Sequence, residues 1–452
     1  MSKKIVVIGM GYVGIPAAAL LADVEGFSVI GIQRRSKRSG WKIDYLNKGK
    51  NPIGGDEPGL SELIEKVVKK KTFRVTDDYN ECRDADVILI DVQTPTDENN
   101  VPRYESLKEV SHIIGKIIPK DVLVVIESTV APGTTEFIVK PILEEESNMK
   151  AGVDFSLVFS YERVMVGRLI HNIKNYPRII GGIDENSTKK AMEIYEKIVN
   201  APLHPTNVMT AEVSKVVENT YRDVNIAFAN EVALMCESLN IDVYKVRELV
   251  NNLPNDPSNP ASNPVRNMHF PGAGVGGHCL PKDPWLLKYG VDTYGKLKVD
   301  PNIIIKSREL NIYMPNHTFI LLEEALNEVG KIIKDSKIAI LGVAFLENSD
   351  DTRNTPTKQF YEIAEKKGAK PILHDPYVRD FDYPINSDFD EVVKDSDAIV
   401  ILVKHKNYLN MDLKKIKTMM KTPILIDGRN AYNKIECEKL GFIYRGIGKP
   451  RL

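Results

Sequence analysis

Ile5-Val6-Val7-Ile8-Gly9-Met10-Gly11-Tyr12-Val13-Gly14 is the stretch that decides the fold. Its β-branched run reads as a buried strand, and the G-x-G-x-x-G that ends it opens a helix-forming segment, Ile15–Ala22. Strand, glycine turn and helix in that order are the context a dinucleotide site requires. Gly9 permits the tight turn, Gly11 lets a pyrophosphate approach the backbone, and Gly14 lets helix and strand pack closely. The helix N-terminus then turns its unsatisfied N–H groups toward the phosphates. A glycine turn without a ligand is the competing reading. Ile5–Ala22 carries no charge and is nearly long enough to span a bilayer, but its β-branched half and central glycines favour a buried strand–turn–helix over a membrane span.

Outward from this stretch, short apolar runs alternate with helical segments. Ser28–Ile32, Val87–Val92, Val122–Glu127, Leu157–Phe159 and Arg178–Gly181 read as strands, and Leu60–Lys70 and Ser106–Ile118 as helices. That alternation predicts a parallel, doubly wound sheet. The second strand ends at Gln33, where a dinucleotide fold usually carries a carboxylate for the adenosine ribose. Gln33 can hydrogen-bond a ribose hydroxyl and Arg34 can stack on adenine, whereas an arginine here could also accept a 2′-phosphate. The residues alone leave NAD and NADP open; Arg35 reads as a solvated surface charge.

The pattern changes near Pro205. From Thr210 to about Leu239 there is neither Gly nor Pro, and apolar residues recur at helical spacing. A helix of about 30 residues is roughly 45 Å long, too long for a crossover and suited to a spine or dimer helix. A Pro- and Asn-rich loop, Asn251–Pro264, follows. A second α/β unit begins near Lys337, with strand runs at Lys337–Val343, Lys370–Leu373, Ala398–Val403 and Pro423–Ile426 and a helix at Thr357–Lys367. The predicted architecture is α/β: two Rossmann-like doubly wound domains, 1–205 and 326–452, joined by a central helical domain, 206–325, with a long spine helix.

The chain has 452 residues, 42% hydrophobic and 27% charged, with a formal net charge of -1, an ordinary globular composition that argues against a general nucleic-acid binder. Cys82, Cys236, Cys279 and Cys437 are widely spaced and form no C-x-x-C pair, so they read as reduced thiols of a cytoplasmic protein, with neither a disulfide frame nor a metal site. Cys279 differs from the others in context. It stands in Gly274-Val275-Gly276-Gly277-His278-Cys279-Leu280-Pro281-Lys282-Asp283-Pro284, where glycines bring backbone close to a ligand and leave a thiol accessible. A free cysteine is more often a small buried hydrophobe, and the loop alone leaves that reading and a nucleophile in balance.

This loop resembles the catalytic loop of the UDP-glucose/GDP-mannose dehydrogenase family. The likeness runs through nearly the whole chain. It includes the glycine turn, Glu127-Ser128-Thr129-Val130-Ala131-Pro132-Gly133-Thr134-Thr135, Tyr161-Glu162-Arg163-Val164, and Lys215, Asn219, Asn230 and Glu231. Beyond the cysteine come Asp350-Asp351-Thr352-Arg353-Asn354-Thr355-Pro356, His374-Asp375-Pro376 and Asp427-Gly428-Arg429-Asn430. The resemblance implies an NAD-binding domain, a central helical domain and a UDP-binding domain. It implies a four-electron oxidation of a C6 alcohol with two NAD and one water, the aldehyde being trapped by Cys279 as a thiohemiacetal and oxidised to a thioester. It assigns Lys215 and Asn219, one helical turn apart, to the reacting oxygen, with Asp283 beside that lysine; Glu162 and Thr129 orient or activate the hydrolytic water. Without the resemblance, Lys215 and Asn219 read as a solvated helix face.

By the same likeness the cofactor contacts are Gly9, Gly11, Tyr12, Val13, Gly14, Gln33, Arg34, Thr94, Thr129 and Arg353. The substrate contacts are Glu162, Arg163, Val164, Lys215, Asn219, Arg222, Arg266 and Gly276, with Arg266 reaching the sugar of a neighbouring subunit in a homodimer or larger homo-oligomer. Val166 and Leu346 stand where UDP-glucose members carry a carboxylate and a lysine. Together with the Gly-Gly-His-Cys-Leu-Pro form, this resembles the branch acting on UDP-N-acetylhexosamines. The implied substrate is UDP-N-acetyl-D-mannosamine, then UDP-N-acetylglucosamine, then UDP-glucose; Arg163 and His171 are candidates for bonding the sugar amide. A two-electron dehydrogenase of the 3-hydroxyacid type needs neither the cysteine nor the second α/β unit, and a non-catalytic UDP-sugar binder needs no Cys279, Lys215, Asn219 and Asp283 together.

Overall fold

The computed structural model describes residues 2–37, 39–252, 258 and 267–451. Arg266 and most of the loop before it lie outside the described residues. The chain forms two compact units, Met1–Glu218 with Lys282–Asp300, and Asn219–Pro281 with Pro301–Leu452.

The first unit is built on a sheet of eight strands: β1 (Lys3–Ile8), β2 (Phe27–Ile32), β3 (Phe73–Thr76), β4 (Val87–Ile90), β5 (Leu123–Ile126), β6 (Ser156–Phe159), β7 (Arg178–Gly182) and β8 (Leu203–Asn207). They lie in the order β3-β2-β1-β4-β5-β6-β7-β8. All pairs are parallel except β6 with β7. The unbroken apolar run of β1 is explained by burial on both faces: Ile5 and Val7 join one core cluster with Ile15, Ala18 and Leu21, while Val6 and Ile8 join a second with Leu107, Val110 and Ile114. Each such side chain contributes roughly 2 kcal/mol of burial energy. The strand order reverses between β1 and β4, the place where an open α/β sheet presents its ligand crevice. Ile5–Ala22 is thus strand, turn and the nine-residue helix Gly14–Ala22, and no helix among the described residues is long and apolar enough to cross a membrane.

The second unit carries five parallel strands, β9 (Lys337–Leu341), β10 (Lys370–His374), β11 (Ala398–Ile401), β12 (Ile424–Asp427) and β13 (Ile443–Gly446), in the order β10-β9-β11-β12-β13. The spine helix, Val208–Ser238, runs 31 residues, as its freedom from Gly and Pro predicts. A second long helix, Asn302–Glu328, passes through Pro315, and β8 contains Pro205. Both prolines interrupt the local pattern. β8 tolerates one because it is an edge strand paired only with β7.

Candidate active site

The glycine turn meets the geometric demands of a dinucleotide. Gly9 has φ +108, and a Cβ there would lie 2.3 Å from the Asp91 carbonyl oxygen; a Cβ on Gly14 would lie 2.0 Å from that of Gly9. A Cβ on Gly11 would meet nothing within 4 Å. Two glycines therefore serve the fold, and the middle one keeps backbone open to an incoming phosphate. Val13 stands at the N-cap of helix Gly14–Ala22, with Tyr12 half-buried beside it. Gln33 Oε1 accepts from Met10 N–H at 3.2 Å, and its amide donates to Ser39 Oγ at 3.1 Å. Arg34 is exposed, 3.8 Å from Glu109, and Arg35 pairs with Asp77 at 2.9 Å.

Two further clusters lie in the same unit. Thr94 Oγ donates to the Thr129 carbonyl at 2.5 Å, and Lys282 Nζ donates to the Thr94 carbonyl at 2.9 Å while lying 3.9 Å from Asp283. Asp283 is fully buried at the start of helix Asp283–Tyr294. Lys215, also buried, donates to the Glu162 carbonyl at 2.8 Å, its ammonium 5.0 Å from the Tyr161 ring centre. Asn219 follows one turn along the spine helix and is half-buried. Arg163 is a brace: it donates to Glu218 at 2.8 Å, to the Pro177 carbonyl at 2.6 Å and to Tyr161 Oη at 3.2 Å. Val164 packs on the core and His171 is exposed.

In the second unit Cys279 is the one cysteine of four that is not buried. Burial pushes the Cys82 and Cys437 thiols up to about 12, which leaves them protonated and inert. The loop before Cys279 is held by contacts only glycine permits. A Cβ on Gly276 would lie 2.6 Å from Phe345 Cβ, and one on Gly274, with φ +124, would lie 3.0 Å from Pro356. Gly277 N–H donates to the Arg353 carbonyl at 2.8 Å, and Asn354 returns a bond to the Gly277 carbonyl at 3.0 Å. Arg353 itself pairs with Asp351. Arg222 is exposed on the spine helix, its charge facing His269.

A buried polar chain, of which the sequence singled out only Asn230, ties both ends of this loop to the spine helix. Gly272 N–H donates to Asn230 Oδ1 at 2.9 Å, Asn230 Nδ2 to Asn311 Oδ1 at 2.9 Å, and Asn311 Nδ2 to Asp223 Oδ1 at 2.9 Å. A backbone donor at one end and a carboxylate at the other dictate how both amides point. Burial pushes the Asp223 carboxyl up, against Arg308 and the Asn311 bond. Arg308 Nη1 lies 2.5 Å from Asp223 and reaches the Leu280 carbonyl, next to Cys279, at 3.4 Å.

Three family models match in sequence order: the NAD binding domain of the UDP-glucose/GDP-mannose dehydrogenase family over residues 3–199, its central domain over 209–313 and its UDP binding domain over 339–434. The chain belongs to this family. As a member it is an NAD-dependent dehydrogenase, and the glycine turn fits that cofactor. The UDP-N-acetyl-D-mannosamine dehydrogenase of Pyrococcus horikoshii is 36% identical over 99% of this chain and 99% of its own. A solved UDP-D-ManNAc dehydrogenase from the same organism superposes with a TM-score of 0.89, at 35% identity over 99% of this chain and 100% of that one. The NDP-N-acetyl-D-galactosaminuronic acid dehydrogenase of Methanosarcina mazei Go1 is 44% identical, with a TM-score of 0.86, over 100% of this chain and 96% of that one.

Proposed function

We propose that this family member oxidises the C6 alcohol of UDP-N-acetyl-D-mannosamine to the carboxylate, in two steps through Cys279. The observation that carries the covalent part is the unburied Cys279 thiol on a braced glycine loop, beside three buried thiols. NAD, when bound, accepts a hydride in each of the two oxidations. Lys215 and Asn219 steady the alkoxide that develops as the alcohol loses its proton. The Cys279 thiolate adds to the aldehyde carbon, and the thiohemiacetal is oxidised to a thioester. Water then gives a proton to Glu162 and its oxygen to the acyl carbon, and the thiolate leaves; Thr129 orients that water and Asp283 supports the lysine. Gly11, Tyr12, Val13, Gln33, Arg34, Thr94 and Arg353 are assigned to the cofactor, and Arg222, Arg266, Val164 and Gly276 to the sugar nucleotide.

Half-buried Val166 and Leu346, neutral where UDP-glucose members are charged, support an acetamido sugar. The relatives named for UDP-N-acetyl-D-mannosamine favour that epimer. A second reading, an N-acetyl-D-galactosamine substrate, is favoured by the 44% identity to the Methanosarcina mazei enzyme. The proposed domain limits remain 205 and 325, and the four free cysteines fit a cytoplasmic protein. A homodimer is supported by exposed Tyr221, Phe228, Met235 and Leu239, whose spacing of seven, seven and four residues lines one face of the spine helix. The test is NADH counted per sugar oxidised across the three UDP-sugars and both epimers. Two equivalents, with the highest kcat/KM on UDP-N-acetyl-D-mannosamine, are expected. One equivalent overturns the covalent reading, and a preference for another sugar overturns the substrate.

A further inference from the structure

Behind Glu162, within the first unit, lies a set of buried charged groups to which neither the family resemblance nor the mechanism above gives a role. Arg178, at the start of β7, has a side chain only 3% exposed. Its Nε donates to Ser160 Oγ at 2.8 Å and its Nη2 to the Ser160 carbonyl at 2.9 Å. Nη2 also meets the Glu127 carboxylate, and Nη1 meets Glu162 Oε1 as a contact ion pair rather than an aligned hydrogen bond. The guanidinium stacks 3.7 Å from the centre of the Tyr195 ring, and Tyr195 Oη donates to Glu127 at 2.6 Å. Every edge of Arg178 is thus fixed, and its remaining freedom is spent on two carboxylates.

The other side of Glu127 faces Asp91, at the end of β4. Asp91 Oδ2 and Glu127 Oε2 are both buried and find no hydrogen-bond partner among the described residues. Burial, together with the neighbouring Glu127 charge, pushes the Asp91 carboxyl well up. A buried carboxyl beside a second carboxyl favours its protonated form. Asp91 is also the residue whose carbonyl lies against Gly9 of the glycine turn.

Charge counting then closes. Three carboxyls, Asp91, Glu127 and Glu162, stand against Arg178 and Lys215, the lysine donating to the Glu162 carbonyl at 2.8 Å. All three ionised would leave a surplus negative charge in a desolvated place. With Asp91 holding a proton, the direction its burial dictates, the five groups are neutral, and Glu162 stays an anion facing a cation. The other charges near it, Arg163 on its own loop and Glu218 on the spine helix, pair with each other at 2.8 Å.

We propose that Arg178 is a positioning residue for Glu162, holding its carboxylate ionised and aimed for thioester hydrolysis, and that Glu127, the other carboxylate on Arg178, sets how much of the Arg178 charge Glu162 receives. This rests on the reading of Glu162 as the base that takes the proton of the hydrolytic water. The water proton goes to Glu162, the water oxygen bonds the acyl carbon, and the carbon–sulfur bond breaks to release thiolate, so no further reactant is needed.

The test separates the oxidations from the hydrolysis in the full-length enzyme with NAD and UDP-N-acetyl-D-mannosamine, or whichever UDP-sugar the screen above selects. In Arg178→Gln, the first-turnover NADH burst stays within about threefold of wild type while steady-state acid release falls about 10- to 100-fold, a general-base-sized loss. The acidic limb of its kcat profile moves to higher pH, because Glu162 loses its cation. Arg178→Lys recovers part of the rate. Glu127→Gln removes one claimant on Arg178 and moves the same limb to lower pH. These opposite movements are what a merely structural role would not produce. Equal losses in burst and steady state, or an acidic limb unmoved in Glu127→Gln, overturn the proposal; the second readout decides the case if Arg178→Gln does not fold. Glu162→Gln tests the underlying reading separately. If it leaves acid release and the acidic limb intact, the role of Glu162 fails whatever Arg178 does.

Discussion

Asn230→Ala removes the middle of the polar chain that holds the cysteine loop. Asn230 is fully buried, Asn311 is 1% exposed and Gly272 is buried, so water cannot replace the lost amide without opening the structure. The substitution strands one donor, Gly272 N–H, and one acceptor, Asn311 Oδ1. A buried group left without its partner costs about 1–3 kcal/mol, and two of them put the loss near 3 kcal/mol. The loop can avoid that loss only by letting Gly272 move to solvent. Either way the free energy of local opening falls, and a fall of 3 kcal/mol raises amide exchange roughly 100-fold. Hydrogen exchange of the Met268–Leu280 segment reads this directly. Iodoacetamide alkylation of Cys279 should quicken and kcat should drop. Exchange within threefold of wild type together with an unchanged alkylation rate would refute the claim that this chain positions the cysteine.

Cys279→Ser should reduce acid release by at least about 1000-fold while UDP-sugar binding persists, since an alkoxyl ester forms and hydrolyses far less readily than a thioester; product assay by chromatography checks it. Asp375 accepts from Val343, Ala344, Tyr377 and Val378 N–H and from His405. Burial works to raise its carboxyl, but these bonds hold it down at about 2. The drop from the ordinary 3.8 is worth roughly 2 kcal/mol, present above pH 4 and lost as pH falls toward 2. Asp375→Asn should therefore destabilise the protein by about that amount at pH 7, with a gap to wild type that narrows below pH 4 in denaturant titrations. Phe228→Glu combined with Met235→Glu should give a monomer in sedimentation analysis where the wild type sediments as the proposed dimer, with no loss of thermal stability beyond that due to dissociation.

What could be read from the sequence was what local geometry decides. The glycine turn was legible because strand, G-x-G-x-x-G and helix are contiguous in the chain, although the atom that bars a Cβ from Gly9 is the remote Asp91 carbonyl, and the spine helix because nothing interrupts its period. Helix Asn302–Glu328 was missed because Pro315 breaks the pattern that identifies helices, although the ring finds room beside Gly274. β8 was missed for the same reason at Pro205. Arg163 donates to Glu218, the Pro177 carbonyl and Tyr161, partners that a motif does not reveal. Asn230 was part of the family likeness, but what it bonds was invisible because its partners are remote in the chain. Asn230 and Asn311 are 81 residues apart, and Arg308 and Asp223 are 85 apart. Periodicity and spacing carry no information about such pairs, and a buried asparagine looks in sequence like any surface asparagine.

Gln33 has a bearing on cofactor engineering. The residue that ends β2 is the customary target when a dehydrogenase is redesigned for the other nicotinamide dinucleotide, on the assumption that it touches only the adenosine end. Here its Oε1 also holds Met10 N–H at 3.2 Å, inside the glycine turn. A change at this position is therefore transmitted into the glycine turn itself. Gln33→Glu keeps an acceptor for Met10, whereas Gln33→Ala or Gln33→Ser releases the turn. Libraries built at this position should accordingly be screened for hydride-transfer rate as well as for dinucleotide preference, with Met10 and Ser39 varied in the same round.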